Sequence, residues 1–142
     1  MRRKVLLGVF LLLLCFCGVG ISQEKTIQLG KRCFLYPDTV KYETFDGRKY
    51  ITYWAGRDYP NLVVLKNKKR ADHSLFFIVA DREKWQQQVL KAEYYLLSER
   101  VFSWSFPFTK FGFSRISPDS NEDVILKAAI EILDTQEGEN KK

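Results

Sequence analysis

The residues that could carry acid–base chemistry are few, because the chain has one histidine, His73, which directly follows Asp72. Nucleophilic hydrolysis needs a nucleophile, a base and an acidic group that converge in space. Ser74 or Cys33 could supply the nucleophile, but the sequence contains neither a nucleophile elbow nor a papain-like cysteine context. We therefore predict no catalytic residue and interpret His73 as an exposed loop residue. A small exported hydrolase that uses His73 and Asp72 is the alternative.

The sequence also lacks the residue patterns of metal-binding and phosphate-binding sites. One histidine and the one cysteine that follows the leader are too few for a zinc site. The sequence contains no carboxylate loop with EF-hand spacing and no glycine-rich phosphate loop. We therefore expect neither a metal site nor a cofactor.

The most unusual pattern lies at residues 102–113, here called the aromatic segment. Its first rings are Phe102, Trp104, Phe106 and Phe108. They alternate with small or polar residues, which predicts an extended chain with one aromatic face. Pro107 cannot donate a ladder hydrogen bond, so we expect an edge strand or an extended arm. Three interpretations remain open: an edge strand packed on the core, a surface for a protein partner, and a surface on which sugar rings stack.

The densest cationic cluster occupies residues 66–70, here called the basic turn. Its cations are Lys66, Lys68, Lys69 and Arg70. In an exported domain they could contact an anionic membrane surface, a polyanionic glycan or an acidic partner. They could instead form a solvated hairpin turn whose charges discourage aggregation through strand edges. The aromatic segment and the basic turn are the predicted partner-binding surfaces, and the partner is an unknown protein or glycan.

The first 22 residues decide the compartment. Three cations precede an uncharged run from Val5 to Ile21 that ends in small residues, as in a secretory signal peptide. An uncleaved membrane anchor over residues 5–21 is an alternative, because about 17 apolar residues is the lower limit for a span. A lipoprotein leader is disfavoured, since bulky residues precede both Cys15 and Cys17. All three possibilities place the folded domain outside the cytoplasm, so we expect a secreted or periplasmic protein.

Cleavage of this leader changes what the composition implies. The formal net charge is +6, but removing three cations from 23 leaves 20 against 17 anions, a net charge of +3. That balance is ordinary for a soluble surface, so we infer no nucleic-acid partner. Only Cys33 then remains of the three cysteines, and a lone cysteine cannot form an internal disulfide. We expect a buried, inert thiol, with intermolecular pairing or a reactive thiol as alternatives.

The elements that position these residues follow from periodicity. Asp46-Gly47 joins residues 40–45 to residues 48–54, and Asp-Gly between two β-prone runs predicts a hairpin with a type I′ turn. Alternation places four residues on the core side of this hairpin: Val40, Tyr42, Ile51 and Tyr53. One or two short strands are expected over residues 27–36, with an interruption near Gly30. Further strands are predicted at 62–66 and 74–80, after a loop at 55–61.

Two helices complete the prediction. Residues 82–100 follow Asp81, a suitable N-cap, and contain helix formers without Gly or Pro. A second helix at about 120–134 is indicated by Ser120, by acids in the first turn and by apolar residues at helical spacing.

We therefore predict an α+β domain at residues 23–134, preceded by a signal peptide or anchor (1–22) and followed by a flexible polar tail (135–142). Its antiparallel or mixed sheet of five or six strands would carry both helices on one face. Since catalytic and metal-binding patterns are lacking, we expect a non-enzymatic binding or interaction domain. A membrane-anchored envelope component is a further alternative, in which the only membrane contact is an uncleaved N-terminal segment.

Overall fold

The computed structural model describes residues 25–140, so the predicted leader at 1–22 lies outside the described residues. Within them the chain forms an eight-stranded sheet and one long C-terminal helix. The strands are β1 (Ile27–Leu29), β2 (Cys33–Leu35), β3 (Lys41–Phe45), β4 (Arg48–Val64), β5 (Arg70–Asp81), β6 (Gln86–Leu96), β7 (Glu99–Ser105) and β8 (Ser114–Arg115). A short 3-10 helix spans Pro37–Thr39, and the helix α1 spans Asn121–Asn140. No helix of this part of the chain has both the length and the apolarity needed to cross a membrane.

All strand pairs are antiparallel. The sheet order is β1-β2-β4-β5-β6-β7, while β3 pairs with the start of β4 and β8 pairs with the start of β6. The long strands β4, β5 and β6 therefore form the centre, and β7 is an edge strand. This agrees with the edge position expected for the first part of the aromatic segment.

The hairpin around Asp46-Gly47 is confirmed in both turn and register. Asp46 has φ 50° and Gly47 has φ 78°, as a type I′ turn requires. Tyr42 pairs with Ile51, and Phe45 pairs with Arg48. The predicted core side is also confirmed, because Ile51 is buried in the main core and Tyr42 packs against it.

The predicted helix at 82–100 is wrong, and the reason lies at Asp81. Its Oδ1 accepts hydrogen bonds from the backbone N–H groups of Glu83 (3.0 Å) and Lys84 (3.1 Å), as an N-cap would. Here the same bonds close a tight turn, which Trp85 ends with φ 53°, and the chain returns as β6. A second turn at Leu97-Ser98 leads into β7, with φ 50° and 67°. Leu and Ser do not predict such a turn, because Gly, Asn and Asp are the residues that usually adopt positive φ in a hairpin turn.

The predicted fold class is therefore wrong as well. Within residues 25–140 the structure has eight strands rather than five or six, and a single α-helix rather than two on one face. The predicted loop at 55–61 is also strand, because β4 continues through it. Gly56 allows β2 to pack closely on β4 here, since the Phe34 ring lies where a Cβ at this position would stand. Pro60 falls where the β4–β5 register shifts, between Asp58 and Val63, so it interrupts no paired position.

The C-terminal helix begins as predicted and ends later. Ser120 Oγ accepts a hydrogen bond from the Asp123 backbone N–H (3.2 Å), which is an N-cap interaction. The helix then continues to Asn140, beyond the predicted end at residue 134. Its buried residues Ile125, Leu126, Ala129 and Leu133 form the main core with one face of the sheet. The helix contacts β1, β2 and β4, so it covers only part of that face.

Candidate binding groove

The aromatic segment and the basic turn meet in one groove. This groove has a volume of about 610 Å³. Its lining residues are Val64, Leu65, Lys66, Tyr94, Phe102, Trp104 and Phe106. The set contains three of the four predicted aromatic residues and one of the four predicted cations, although the sequence separates the two segments by two strands.

Strand pairing places the groove on the face of the sheet that carries the helix. Phe76, which packs against the core, pairs with Ala92, and Ala92 pairs with Trp104. Two residues further along, Tyr94 pairs with Phe102. Because side chains alternate along a strand, these residues share one face. The groove is therefore the continuation of the core face beyond the part that the helix covers.

The turn between β4 and β5 forms the other wall. Two backbone bonds order it: Leu65 N–H donates to the Lys69 carbonyl (2.8 Å), and Lys68 N–H donates to the Leu65 carbonyl (2.9 Å). Asn67 Nδ2 then donates to the Val101 carbonyl on β7 (3.3 Å). This last bond joins the turn to the edge strand and brings Lys66 beside the rings.

The rings of the groove contact one another. Phe76 meets Tyr94 edge to face, with centroids 6.2 Å apart, and Tyr94 lies 6.0 Å from Phe102. Trp104 and Phe106 are 5.2 Å apart. Aromatic pairs prefer such tilted and edge-to-face arrangements, which stabilise the lining of the groove. The outer rim is open to solvent, because Phe106 is 65% exposed and Val64 is 68% exposed.

The basic turn presents its charges to solvent. Its four cations, Lys66, Lys68, Lys69 and Arg70, are all exposed. The ion pairs found among residues 25–140 involve none of them. Their charge is therefore not neutralised by a neighbouring carboxylate, and it adds a positive potential beside the apolar rings.

The fourth predicted ring, Phe108, belongs elsewhere. It stacks on Phe45 (4.7 Å) and contacts Tyr50 (5.4 Å) and Phe113 (5.8 Å). Tyr50 neighbours Ile51 in β4, so this cluster lies on the opposite face of the sheet. Gln88 fixes the chain there, since its Nε2 donates to the Thr109 carbonyl (2.9 Å) and its Oε1 accepts from the Thr109 N–H (3.3 Å). Phe108 therefore contacts the body of the domain rather than the groove.

The residues considered for hydrolysis are not assembled as a triad. His73 Nδ1 lies 2.6 Å from Asp72 Oδ1, and the His73 ring stacks on Tyr95. Asp72 also accepts a hydrogen bond from the Leu97 N–H (2.9 Å), which together with His73 lowers the pKa of the carboxyl group. His73 is half-buried in β5 rather than exposed in a loop, because that strand begins at Arg70.

Neither candidate nucleophile faces the His73 ring. Ser74 follows His73 in the strand and so points to the opposite face, where its buried hydroxyl lies 2.8 Å from that of Tyr59. Cys33 is buried in the core, and burial raises the pKa of its thiol. A raised pKa keeps the sulfur protonated, whereas the thiolate is the nucleophile.

Sequence reasoning alone misses three groove residues, Val64, Leu65 and Tyr94. Tyr94 falls in the predicted helix at 82–100, and Val64 and Leu65 fall in the predicted strand at 62–66. The signal that could have found Tyr94 is the alternation of Ala92, Tyr94 and Leu96, which also fits a strand. In the part of the chain that the structure describes, no three His, Cys, Asp or Glu side chains are grouped so as to hold a metal ion.

Comparisons with protein-family models, with curated proteins and with solved structures find no significant match to this chain.

Proposed function

We propose that this protein is a non-enzymatic binding domain whose contact surface is the aromatic groove together with the basic turn. The observation that carries the proposal is that Phe102, Trp104 and Phe106 line the same groove as Lys66. Two segments with unusual composition thus supply one surface. Its partner presents an apolar part to the rings and a negative charge to the turn.

The size and exposure of the groove support a binding role. Small-molecule sites usually have volumes of about 300–1,000 Å³ and are lined mostly by apolar and aromatic side chains. The groove, at about 610 Å³, falls within this range. Exposed large apolar side chains that adjoin one another are also typical of contact surfaces. Here Phe106 and Val64 supply them at the rim.

The hydrolase alternative has less support from the geometry. Its base and acid, His73 and Asp72, form a close pair, but Ser74 points to the face opposite to His73, and Cys33 lies in the core. Asp72 also holds the turn at Leu97, which gives this carboxylate a structural role. These positions favour the binding domain over the enzyme.

A dye titration tests the groove directly. Anilinonaphthalene sulfonate combines aromatic rings with a negative charge, and its fluorescence rises in apolar surroundings. We expect it to bind the native protein, and Phe106→Ala to weaken binding at least fivefold. The control is Phe111→Ala, because Phe111 is 97% exposed and does not line the groove. Equal binding by both variants and the native protein would contradict the proposal.

Export is part of the same proposal, because the leader predicts it. Mass spectrometry of the protein recovered outside the cytoplasm would give its N-terminus. A mature chain that begins at Gln23 or Ile21 supports a cleaved signal peptide. A chain that retains residues 5–21 would instead support the membrane-anchored alternative.

A further inference from the structure

We propose that the natural ligand of the groove is a single-chain anionic amphiphile, with its apolar chain along the rings and its anionic group at Lys66. The inference rests on the proposed binding function and assigns a ligand class to the same groove. Three features support it: the scarcity of polar atoms in the lining, the sign of the charge at one wall, and a second cleft reached through the Phe76–Tyr94 ring contact.

The lining offers few hydrogen-bonding groups. Among its seven side chains, only Lys66, Tyr94 and Trp104 carry a polar atom. A sugar ring presents a hydroxyl on most of its carbons, and hydroxyls that are buried without partners are costly. An aliphatic chain needs no such partners. The lining therefore favours a hydrocarbon chain over a glycan.

The positive charge of Lys66 favours an anionic end group on the ligand. None of the seven lining residues is acidic, and Lys66 is the one charged side chain among them. The next cations, Lys68, Lys69 and Arg70, belong to the same turn. A carboxylate or phosphate placed there meets only positive charge from the lining. A cationic amphiphile would be repelled from the same position.

A second cleft extends the apolar path. It has a volume of about 250 Å³ and lies between the sheet and the start of the helix. One side of its lining is apolar and includes Phe76, Ile78, Val89 and Ile125, while polar residues such as Arg57, Gln87 and Glu122 line the rest. Phe76 lines this cleft and also contacts Tyr94 of the groove. A chain that begins at Lys66 and passes Tyr94 therefore runs along the same face of the sheet towards this second, partly apolar cleft.

Calorimetric titration with defined probes tests this ligand class. Decanoate, used below its micelle-forming concentration, should bind with one molecule per protein chain. Hexanoate should bind more weakly, by about two- to fourfold for each missing methylene, because every buried methylene contributes to affinity. Decanol keeps the chain but lacks the charge, so it should bind about two- to fivefold more weakly than decanoate.

Two variants separate the contributions of the chain and the charge. Lys66→Gln should weaken decanoate binding about two- to fivefold and leave decanol unchanged. Trp104→Ala should weaken both ligands at least fivefold. Phe111→Ala should change neither, and circular dichroism should show that all variants remain folded.

The results distinguish this inference from the function on which it rests. If the sulfonate dye binds but decanoate does not, the groove is a binding site and the amphiphile is the wrong ligand class. If neither binds, both proposals fail. Displacement of the dye by an acidic aromatic peptide, without displacement by decanoate, would identify a protein partner and overturn the amphiphile. Equal affinity for decanoate and decanol would contradict the proposal that an anionic group binds at Lys66.

Discussion

Lys66 and Trp104 line the same groove, although one lies in the turn after β4 and the other in the edge strand β7. The bond from Asn67 to the Val101 carbonyl holds the two walls together. A cation is thereby placed beside an aromatic surface that is open at its rim. This arrangement is the basis of the proposed binding function, and its electrostatic part can be tested separately from its apolar part.

The charge at the groove predicts a dependence on salt. Affinity for the sulfonate dye should fall as salt rises from about 50 mM to about 500 mM, because screening weakens the attraction between exposed charges. Lys66→Gln should reduce this dependence. The control Lys110→Gln removes a cation that does not line the groove and should behave as the native protein. An unchanged salt dependence in Lys66→Gln would show that its charge takes no part.

Gln88 should stabilise the fold without contributing to binding. Its two hydrogen bonds hold Thr109 and thereby the segment that carries Phe108 and Phe113. Gln88→Leu should lower the free energy of unfolding by about 1–3 kcal/mol, since each lost bond contributes about 0.5–1.5 kcal/mol. Chemical denaturation measures this change. The affinity for the dye should be unaltered. A loss of dye affinity without a loss of stability would show that the segment carrying Phe108 takes part in binding.

Substitutions in the turn at Leu97-Ser98 should change the free energy of unfolding in opposite directions for a β-hairpin and for a helix at residues 82–100. Both residues have positive φ, which Asn and Gly adopt more easily. Leu97 is 85% exposed, so its replacement removes little packing. The double variant Leu97→Asn, Ser98→Gly should raise the free energy of unfolding by about 0.5–1 kcal/mol.

If residues 82–100 formed a helix, the same change would destabilise the protein, because glycine in a helix costs about 1 kcal/mol relative to alanine. A thermal melt therefore distinguishes the two. A lower melting temperature for the double variant would contradict the hairpin. Ser98→Ala, which keeps the turn unfavourable, is the matched control.

Asp123 should make stability depend on pH in the acid range. Its carboxylate bonds with Lys127 (2.9 Å), accepts from Trp85 Nε1 (2.7 Å) and accepts from the Asp119 N–H (3.1 Å). These interactions, with Lys127 the largest, hold its pKa below the ordinary value. A lowered pKa in the folded state stabilises the protein above the unfolded pKa of about 3.9, and this stability is lost as pH falls through the folded pKa.

Melting temperatures recorded between about pH 2 and pH 7 should therefore fall at the acid end. Asp123→Asn should melt lower than the native protein at neutral pH, with a smaller difference at the acid end. A constant difference across the range would mean that Asp123 acts through packing rather than charge.

Local features of the fold were predictable where two signals agreed. The hairpin at Asp46-Gly47 combined a specific turn with alternation on both sides, so its register followed. The start of the C-terminal helix combined a Ser cap with acids in the first turn. At residues 82–100 the N-cap and the helix-forming residues predicted a helix that the structure does not contain. Asp81 can make the same hydrogen bonds whether it caps a helix or closes a turn. Tertiary pairing with β5 and β7 decided in favour of the strand.

The groove could be predicted only in pieces. Composition identified the rings and the cations, but their meeting depends on the antiparallel path from β4 to β7 and on the register shift in β4. The same path separates Phe108 from Phe106, since the chain crosses to the other face of the sheet between them. The spacing of residues in the sequence predicts neither the meeting of the rings with Lys66 nor the separation of Phe108 from Phe106.

The most direct test of the central claim is a nuclear magnetic resonance titration of isotopically labelled protein with decanoate. The account predicts that the largest chemical-shift changes occur at Val64, Lys66, Phe102 and Trp104, including the Trp104 indole N–H. Shifts confined to the surface around Phe111, or no saturable shifts at any residue, would contradict it.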